Sequence, residues 1–366
     1  MSVDKQLRVM IMAGGTGGHV FPALAVVEHL RRENVEISWL GTRAGIEAEL
    51  VPKQNITLNF LNIEGIRGRG IMAVLKAPLL LWQSIAQALV VLSEFKPQVV
   101  LGMGGFASGP GAVAAWLKRI PVVIHEQNSV AGTTNKLSAM FAKRVLQGFP
   151  NTLPRGEWCG NPVRAEISKL AAPDQRLARR TGRLRLLVIG GSRGALALNT
   201  LLPKALAQIE SAQRPEIFHQ SGNAHWQATV DLYADADLGL GDGELSVVPF
   251  IDSMETAYEW ADFVICRAGA LTIAELTSVG LGALLIPFPF AIDDHQTANG
   301  QMLVDHGAAE MIQQSELTAA KLATMIVGIA ADPERRMAMA MSARALAKNQ
   351  AAEEVAKVCK EAASGQ

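Results

Sequence analysis

The sequence is poor in the residues that mark several classes of protein. Its three cysteines, Cys159, Cys266 and Cys359, stand far apart in 366 residues, so we expect neither a disulfide framework nor a zinc cluster. The formal net charge is zero, which argues against a nucleic-acid partner held by overall charge. The first ten residues contain no long apolar run and no small-residue cleavage site, so we expect no secretory signal.

Uninterrupted apolar runs are also scarce. Residues 97–117 carry no charge, but five glycines and two prolines divide them. Residues 77–93 are uncharged too, but Gln83, Ser84 and Gln87 interrupt them, and their length is borderline for a bilayer. We therefore expect no helix that crosses a membrane. Hydrophobic residues still make up 49% of the chain, which is enough for the cores of two ordinary domains.

The stretch GGTGGH at residues 14–19 lies between a strand-like run, VMIM, and a helix-like run that begins at Val20. Glycines at such a turn leave the first N–H groups of the helix open to an anion, usually a phosphate. The stretch lacks the Lys–Ser/Thr pair of the P-loop and the last glycine of the dinucleotide motif. The next strand ends in Gly41 and Thr42 instead of an acid. We therefore expect no nicotinamide or flavin cofactor.

Strand-length apolar runs alternate with helical patterns along the whole chain, which predicts parallel α/β sheets covered by helices. The first strand and turn, RVMIMAGGTGG from residue 8, are echoed by RLLVIGGSRG from residue 185. The repeat predicts two doubly wound Rossmann-like domains that face each other across a ligand-binding cleft. We place these domains at residues 1–163 and 164–345, with residues 346–366 as a helix packing back on the first domain.

Six motifs, in this order, resemble those of the MurG family of bacterial peptidoglycan N-acetylglucosaminyltransferases. They are GGTGGHVFPALA (14–25), GMGGFASGP (102–110), HEQNSVAG (125–132), GNPVR (160–164), GGSRGA (190–195) and RAGALTIAE (267–275). The resemblance spans residues 8 to about 350 and implies the two-domain GT-B fold. It also implies inverting transfer of N-acetylglucosamine (GlcNAc) from UDP-GlcNAc to the C4 hydroxyl of the muramoyl sugar of lipid I, the undecaprenyl-pyrophosphoryl-MurNAc-pentapeptide. The product would be lipid II, a precursor of peptidoglycan.

The same resemblance implies a donor site located mostly in the second domain. Its motif positions fall on Ser192, Ile251, Ala270, Leu271, Thr272, Ile273, Ala274, Glu275 and Gln296. Ser192 would hold the diphosphate at a helix start, and Ile251 would offer backbone groups to the uracil. Glu275 would accept hydrogen bonds from both ribose hydroxyls, and Gln296 would bond a sugar hydroxyl. From the first domain, the donor would be reached by Thr16, Gly17, Gly18, Asn128 and Arg164.

One residue departs from the family pattern. Arg193 stands in GGSRGA where the family often has glutamine, and it either strengthens donor binding or, as we favour, faces solvent. An Asp-x-Asp pair, Asp235 and Asp237, resembles a metal motif, but its acidic, glycine-rich surroundings predict an exposed loop. We therefore expect no metal, and helix N-termini would neutralise the leaving diphosphate instead.

The acceptor hydroxyl must lose a proton as the new bond forms, and His19 is the preferred base. Its place at a helix start favours the neutral, proton-accepting imidazole. His19 could alternatively orient phosphate or acceptor groups without acting as base. Glu126 and His125 are the second candidates, and a purely structural role for His125 is equally open. By analogy, Gly104 and Gly105 in the third glycine-rich turn would hold the acceptor diphosphate, with His125 beside them.

Residues 70–85, GIMAVLKAPLLLWQSI, are apolar and flanked by Arg67, Arg69 and Lys76. Such a pattern is typical of peripheral membrane attachment, but it also fits a buried core helix. The family resemblance favours attachment to the cytoplasmic face of the inner membrane, with Trp116 and Lys118 extending the patch. The expected partners are UDP-GlcNAc, lipid I, that membrane surface and other cell-wall and division proteins, with no nucleic acid.

Two other classes of function stay open from the sequence. The chain could be another UDP-GlcNAc enzyme on this fold, either a 2-epimerase or a transferase with a soluble acceptor. It could also be a non-catalytic sugar-nucleotide sensor or assembly scaffold, whose function would survive the loss of His19.

Overall fold

The computed structural model of the chain describes residues 6–63, 71–178, 180–191, 194–239 and 244–365, without the side chains of residues 71–76 and 292. The chain divides into two compact units. Unit 1 comprises residues 1–164 and 348–366, and unit 2 comprises residues 165–347. The division therefore falls after Arg164 and again after Ala347.

The strands of the described residues, in chain order, are β1 (Arg8–Ala13), β2 (Glu36–Gly41), β3 (Thr57–Phe60), β4 (Val99–Gly104), β5 (Val122–Glu126), β6 (Arg144–Gln147), β7 (Glu157–Trp158), β8 (Arg185–Ile189), β9 (Glu216–Gln220), β10 (Leu245–Val248), β11 (Phe263–Cys266), β12 (Ala283–Leu285) and β13 (Ala309–Met311).

The α-helices are α1 (Gly17–Arg32), α2 (Glu47–Lys53), α3 (Ile71–Phe95), α4 (Ser108–Leu117), α5 (Thr133–Ser138), α6 (Ala165–Ser168), α7 (Pro173–Arg176), α8 (Leu196–Leu206), α9 (Trp226–Asp235), α10 (Met254–Trp260), α11 (Ala270–Val279), α12 (His295–Asp305), α13 (Ala319–Ala331), α14 (Pro333–Ala345) and α15 (Ala351–Ser364).

Unit 1 is built on a seven-stranded parallel sheet in the order β3-β2-β1-β4-β5-β6-β7. Its central strands are buried on both faces, because helices cover the sheet on each side. The last helix, α15, belongs to this unit. Val355 and Cys359 of α15 lie in the same buried cluster as Val9 of β1 and Val26 of α1.

Unit 2 is built on a six-stranded parallel sheet in the order β10-β9-β8-β11-β12-β13. One buried cluster joins strands β8 and β11 to helices α8 and α13, with Val188, Leu198, Ile265 and Ile326 among its members. Both units therefore have the doubly wound architecture predicted from the alternating pattern. The three cysteines are free thiols, and each is buried.

One expectation about local structure is corrected. Residues 231–235, predicted as part of an exposed acidic loop, form the second half of α9, because the fully buried Tyr233 anchors that helix to the core. In addition, residues Ala77–Phe95 of α3 form a helix long and apolar enough to cross a membrane, with a mean hydropathy of 1.3 and 17% of it buried. Its inner face, including Ala88 and Leu92, packs in the core of unit 1.

Candidate functional site

The first glycine-rich turn connects β1 to α1, and a side chain of the same protein is hydrogen-bonded to its backbone. Gly15, at φ +92°, donates its backbone N–H to Oε2 of Glu47 over 2.9 Å. The other oxygen, Oε1, accepts the backbone N–H and the hydroxyl of Thr42, each over 2.8 Å, and the carboxylate is fully buried. At Gly15, the predicted anion cradle is therefore already filled by the protein's own carboxylate. Thr16 stands at the N-cap position of α1, without a capping hydrogen bond from its side chain, and Gly17 and Gly18 begin the helix.

His19 follows in the first turn of α1, and its imidazole lies in a slot between two glycine-rich turns. A Cβ on Gly104 would lie 2.9 Å from Cε1 of His19, and a Cβ on Gly105 would lie 2.3 Å from the carbonyl oxygen of Gly14. Both glycines also have a positive φ, of +100° and +88°. Gly104 and Gly105, predicted to bind the acceptor, are thus needed for the close approach of the two turns.

The side chain of Gln127 joins the two histidines that the sequence singled out. Its Oε1 lies 2.9 Å from Nδ1 of His19, and its Nε2 lies 3.1 Å from Nδ1 of His125. His125 is fully buried, and its Nε2 lies 2.8 Å from the carbonyl oxygen of Gly160. Burial lowers the pKa of His125 to about 4, so its ring is neutral at neutral pH. The structure therefore supports the structural alternative for His125 over acceptor binding.

Glu126, the second predicted catalytic residue, has both carboxylate oxygens engaged in its own loop. Oε1 accepts the backbone N–H of Asn128 over 2.9 Å, and Oε2 accepts the backbone N–H of Gly132 and Nδ2 of Asn135 over 3.0 and 2.9 Å. The side chain is buried. This geometry favours a loop-shaping role over the predicted catalysis by Glu126, because the buried carboxylate already accepts hydrogen bonds at both oxygens.

Two further unit 1 residues belong to the predicted donor set. Asn128 follows the end of strand β5 by two residues, and its Nδ2 lies 3.4 Å from Oε1 of Glu126. Arg164 is the last residue of unit 1 before the division, and its guanidinium lies over the ring of Phe21 in α1, 5.6 Å from the ring centre. The structure thus places Arg164 beside the helix that carries His19.

In unit 2, the second glycine-rich turn follows β8. Gly194, at φ +76°, passes so close to the next loop that a Cβ would lie 2.0 Å from the carbonyl oxygen of Ser221. Gln220 links this turn to Ile251: its Nε2 donates to the carbonyl of Gly191 over 3.0 Å, and its Oε1 accepts the backbone N–H of Ile251 over 3.0 Å. That N–H, one of the backbone groups predicted to face the uracil, is thus bonded within the protein, and the role of Ile251 stays a prediction. Ser192 and Arg193 lie outside the described residues.

The predicted donor segment opens α11, which begins at Ala270 after Gly269. Ala270 and Ile273 are buried, so Ile273 is a packing residue there, while Leu271, Thr272 and Ala274 are partly exposed. Glu275 is 5% exposed, and its Oε2 accepts the hydroxyl of Tyr258 over 2.9 Å. This hydrogen bond holds the carboxylate in a fixed orientation.

Gln296, predicted to bond a sugar hydroxyl, lies on α12 and accepts the backbone N–H of Phe288 through Oε1 over 3.0 Å. Arg267 supports the same loop by donating to the carbonyls of Ile286 and Pro287 over 3.0 and 3.1 Å. Phe290 in this loop is 80% exposed. The structure thus brings Gln296 to a loop with a large exposed aromatic side chain.

Three of these positioning residues were missed by sequence reasoning. Gln127 lies in the motif HEQN, but its neighbours His125 and Glu126 are the residues with an evident catalytic chemistry. Gln220 and Glu47 stand in no motif, and Glu47 acts on a turn 32 residues earlier in the chain. Among the described residues, no group of three His, Cys, Asp or Glu could hold a metal ion. Asp235 ends α9, and Asp237 follows in a left-handed turn.

Unit 1 also carries an exposed apolar surface, which we call the α3–α5 patch. It comprises Leu79, Leu81 and Trp82 of α3, Trp116 and Leu117 of α4, and Leu137 and Met140 at α5. Trp82 is 69% exposed and Met140 is 78% exposed. Lys118, Arg119 and Lys136 are exposed beside these residues in the sequence. Arg67 and Arg69 lie outside the described residues, as does the side chain of Lys76.

Two parallel α/β units, each with a central strand that leads through a glycine-rich turn into a helix, place the chain in the class of GT-B glycosyltransferases, as the family and structural matches show. The chain belongs to glycosyltransferase family 28, whose N-terminal domain matches residues 9–147 and whose C-terminal domain matches residues 185–358. The predicted family and fold class are thereby confirmed.

Proteins similar to this chain are named "UDP-N-acetylglucosamine--N-acetylmuramyl-(pentapeptide) pyrophosphoryl-undecaprenol N-acetylglucosamine transferase". The one from Nitrosococcus oceani is 50% identical over 362 residues, which are 98% of this chain and 99% of the relative. The one from Alkalilimnicola ehrlichii is 51% identical over 357 residues, 97% and 99% of the two chains.

Solved structures agree with this assignment. The crystal structure of Acinetobacter baumannii MurG matches with a TM-score of 0.83 and 40% identity, covering 97% of this chain and 99% of that one. A UDP-GlcNAc 2-epimerase from Neisseria meningitidis matches with a TM-score of 0.65 over 98% and 100% of the two chains, but it is only 13% identical. The epimerase therefore shares the fold, and nothing more follows from it.

Proposed function

We propose that this chain transfers GlcNAc from UDP-GlcNAc to the C4 hydroxyl of undecaprenyl-pyrophosphoryl-MurNAc-pentapeptide, with inversion at the anomeric carbon. The observation that carries the proposal is the likeness, along nearly the whole chain, to relatives named for this transfer. The alternatives have less support, because the 2-epimerase shares only the fold.

The chemistry assigned to unit 1 is removal of one proton. As the acceptor oxygen bonds to the anomeric carbon, the bond from that carbon to the diphosphate breaks and UDP leaves with the electron pair. His19 takes the hydroxyl proton in the same step. His19 fits this role because its imidazole is only half-buried at the mouth of the β1–α1 turn, whereas His125 and the carboxylate of Glu126 are buried and engaged.

The donor is assigned mainly to unit 2. The helix start at Ala270 supplies N–H groups and a positive dipole end for the diphosphate. Glu275, oriented by Tyr258, accepts from the ribose hydroxyls. The first glycine-rich turn is a poorer place for a second diphosphate, because Glu47 already occupies the N–H of Gly15. We propose that the transfer needs no metal.

The deciding experiment measures transfer of labelled GlcNAc from UDP-GlcNAc to a lipid I analogue with a shortened polyprenol, in the presence of EDTA. We expect product with the wild-type protein and a loss of about 10²- to 10⁴-fold with His19→Ala. Recovery only on adding magnesium would overturn metal independence. Turnover of UDP-GlcNAc alone would indicate an epimerase, and binding without transfer would indicate a sensor.

We further propose that the protein is peripheral on the cytoplasmic face of the inner membrane, held by the α3–α5 patch. Large apolar side chains beside exposed cations suit a surface of anionic lipid. Association with other cell-wall and division proteins stays a prediction.

Flotation with vesicles tests this attachment. Trp82→Ser should lower the fraction bound to vesicles containing phosphatidylglycerol, and raising the salt concentration should lower it further. Phe290→Ser removes another exposed aromatic residue, from unit 2, and serves as the control. Equal binding by both variants would contradict the assignment of the patch.

A further inference from the structure

In the hydrogen bonds around Gln127, two backbone carbonyls decide which group donates and which accepts. The first is the carbonyl of Gly160, 2.8 Å from Nε2 of His125. A carbonyl oxygen can only accept, so Nε2 of His125 carries a proton. Burial keeps this ring neutral, because it lowers the pKa of His125 to about 4. Nδ1 of His125 is therefore a bare acceptor.

The second carbonyl orients the amide of Gln127. Nε2 of Gln127 lies 3.0 Å from the carbonyl oxygen of His125 and 3.1 Å from Nδ1 of the same residue. Both partners are acceptors, and the amide group has two hydrogens to donate. Turning the amide over would place its oxygen against these two acceptors. Oε1 of Gln127 is therefore the atom that faces His19.

The orientation of that oxygen decides the state of His19. Oε1 lies 2.9 Å from Nδ1 of His19 and can only accept, so Nδ1 carries the proton. In a neutral imidazole, one nitrogen is a donor and the other an acceptor, which leaves Nε2 bare. Gly104 makes room for the ring in this position, because a Cβ there would lie 2.9 Å from Cε1 of His19.

We propose that Gln127 is a positioning residue, which fixes His19 in the tautomer with its proton on Nδ1 and so presents Nε2 as a proton acceptor. The catalytic meaning of this tautomer rests on the proposed function, in which His19 is the base. The tautomer itself can be observed without any substrate. The series of hydrogen bonds runs from Gly160 through His125 and Gln127 to His19, and all four residues belong to unit 1.

The test is ¹⁵N NMR of the full chain labelled at histidine, since the shifts of the two ring nitrogens report which one is protonated. His19→Ala identifies the signals among the seven histidines. Spectra are recorded at a pH where each imidazole is shown by titration to be neutral. Gln127→Met removes the acceptor while keeping the length of the side chain. Gln127→Glu keeps an oxygen beside Nδ1 of His19, and its second oxygen can bond the two acceptors of His125 only while it carries a proton.

Gln147→Met is the matched control. It alters another buried glutamine at the end of the neighbouring strand β6, where Oε1 accepts the backbone N–H of Leu153 over 2.9 Å. Urea unfolding of each variant shows that the protein is folded. We expect protonated Nδ1 on His19 in the wild type, Gln127→Glu and Gln147→Met, and a shift toward protonated Nε2 in Gln127→Met.

In the transfer assay, Gln127→Met should lower kcat about 10- to 100-fold with little change in KM, below the roughly 10²- to 10⁴-fold effect of losing the base. Protonated Nε2 in the wild type, or an unchanged tautomer in Gln127→Met, would overturn the proposal and leave the function intact. The predicted tautomers without any transfer by the wild type would overturn the proposed function and leave the hydrogen-bond chain standing.

Discussion

At the scale of single residues, buried polar side chains hold the turns and rings of the candidate site in position. Glu47, Gln127 and Gln220 each hold a turn or a ring in place through two or three hydrogen bonds. A buried acceptor that satisfies several donors is costly to alter, because the donors then lose their partners inside the protein. These residues therefore couple the precision of the site to the stability of its unit.

Glu47→Gln should lower the free energy of unfolding of unit 1 by about 1–3 kcal/mol, because an amide cannot accept from all three donors that the carboxylate satisfies. Urea unfolding measures the change. The matched control is Glu49→Gln on the same helix, where the i, i+4 pair with Lys53 is exposed and screened by solvent, so that its loss should change stability little. Equal effects of the two substitutions would contradict the role of Glu47.

His219 predicts a loss of stability in acid. Burial lowers its pKa to about 3, and Nδ1 lies 2.9 Å from the hydroxyl of Tyr233. Between these two pKa values, the histidine is protonated in the unfolded chain, where its pKa is about 6.5, and neutral in the folded state. Stability is thus complete above pH 6.5 and falls as the pH drops toward 3, by roughly 2 kcal/mol at pH 5.

Urea unfolding at pH 7 and pH 5 tests this, with His219→Phe as the comparison. The variant should lose less stability than the wild type on acidification, whatever its stability at pH 7. The same loss in both proteins would show that His219 does not contribute to the pH dependence.

The sequence identified the candidate base but not the residues that hold it. His19 stands in a glycine-rich motif whose chemistry can be stated from the residue types alone. Gln127 acquires its role from the fold, because strand β5 ends beside the β1–α1 turn only once the sheet is assembled. For Glu126, the sequence shows a carboxylate next to a histidine, and only the fold shows that both of its oxygens are hydrogen-bonded within the loop.

At the scale of elements, α15 completes the core of unit 1 although it follows unit 2 in the chain. Val355 is fully buried among residues of β1 and α1. Val355→Ala should destabilise unit 1 by about 2 kcal/mol, because two buried methyl groups are lost and a cavity remains.

Urea unfolding, monitored by hydrogen exchange in each unit separately, should show that only unit 1 is destabilised. Lys357→Ala is the control, since that side chain is 69% exposed on the same helix. Equal weakening of both units would contradict the assignment of α15 to unit 1.

The predictability of elements follows their burial. The two quoted apolar runs, around Ile11 and Val188, became central strands, because a parallel strand covered on both faces must be apolar throughout. Strand β3 and the two-residue β7 have no such buried run, since they lie at sheet edges and are partly or wholly exposed. The buried Tyr233 of α9 was likewise hidden among acidic neighbours.

At the scale of the whole molecule, the two units are predicted to respond differently to the donor. UDP-GlcNAc should slow amide hydrogen exchange most at the start of α11 and at the β8 turn, because these backbone N–H groups are the proposed diphosphate site. The first glycine-rich turn should change less, since Gly15 is already bonded to Glu47. Protection confined to residues 13–19 would contradict this division.

The two glycine-rich turns are supported by side chains of different charge. At the first turn, the carboxylate of Glu47 accepts the N–H of Gly15, while at the second, the neutral amide of Gln220 donates to the carbonyl of Gly191. A carboxylate repels a phosphate at close range, and a neutral amide does not. The two turns share their glycines but differ in the charge behind them, so the first disfavours an anion near Gly15 and the second carries no such repulsion.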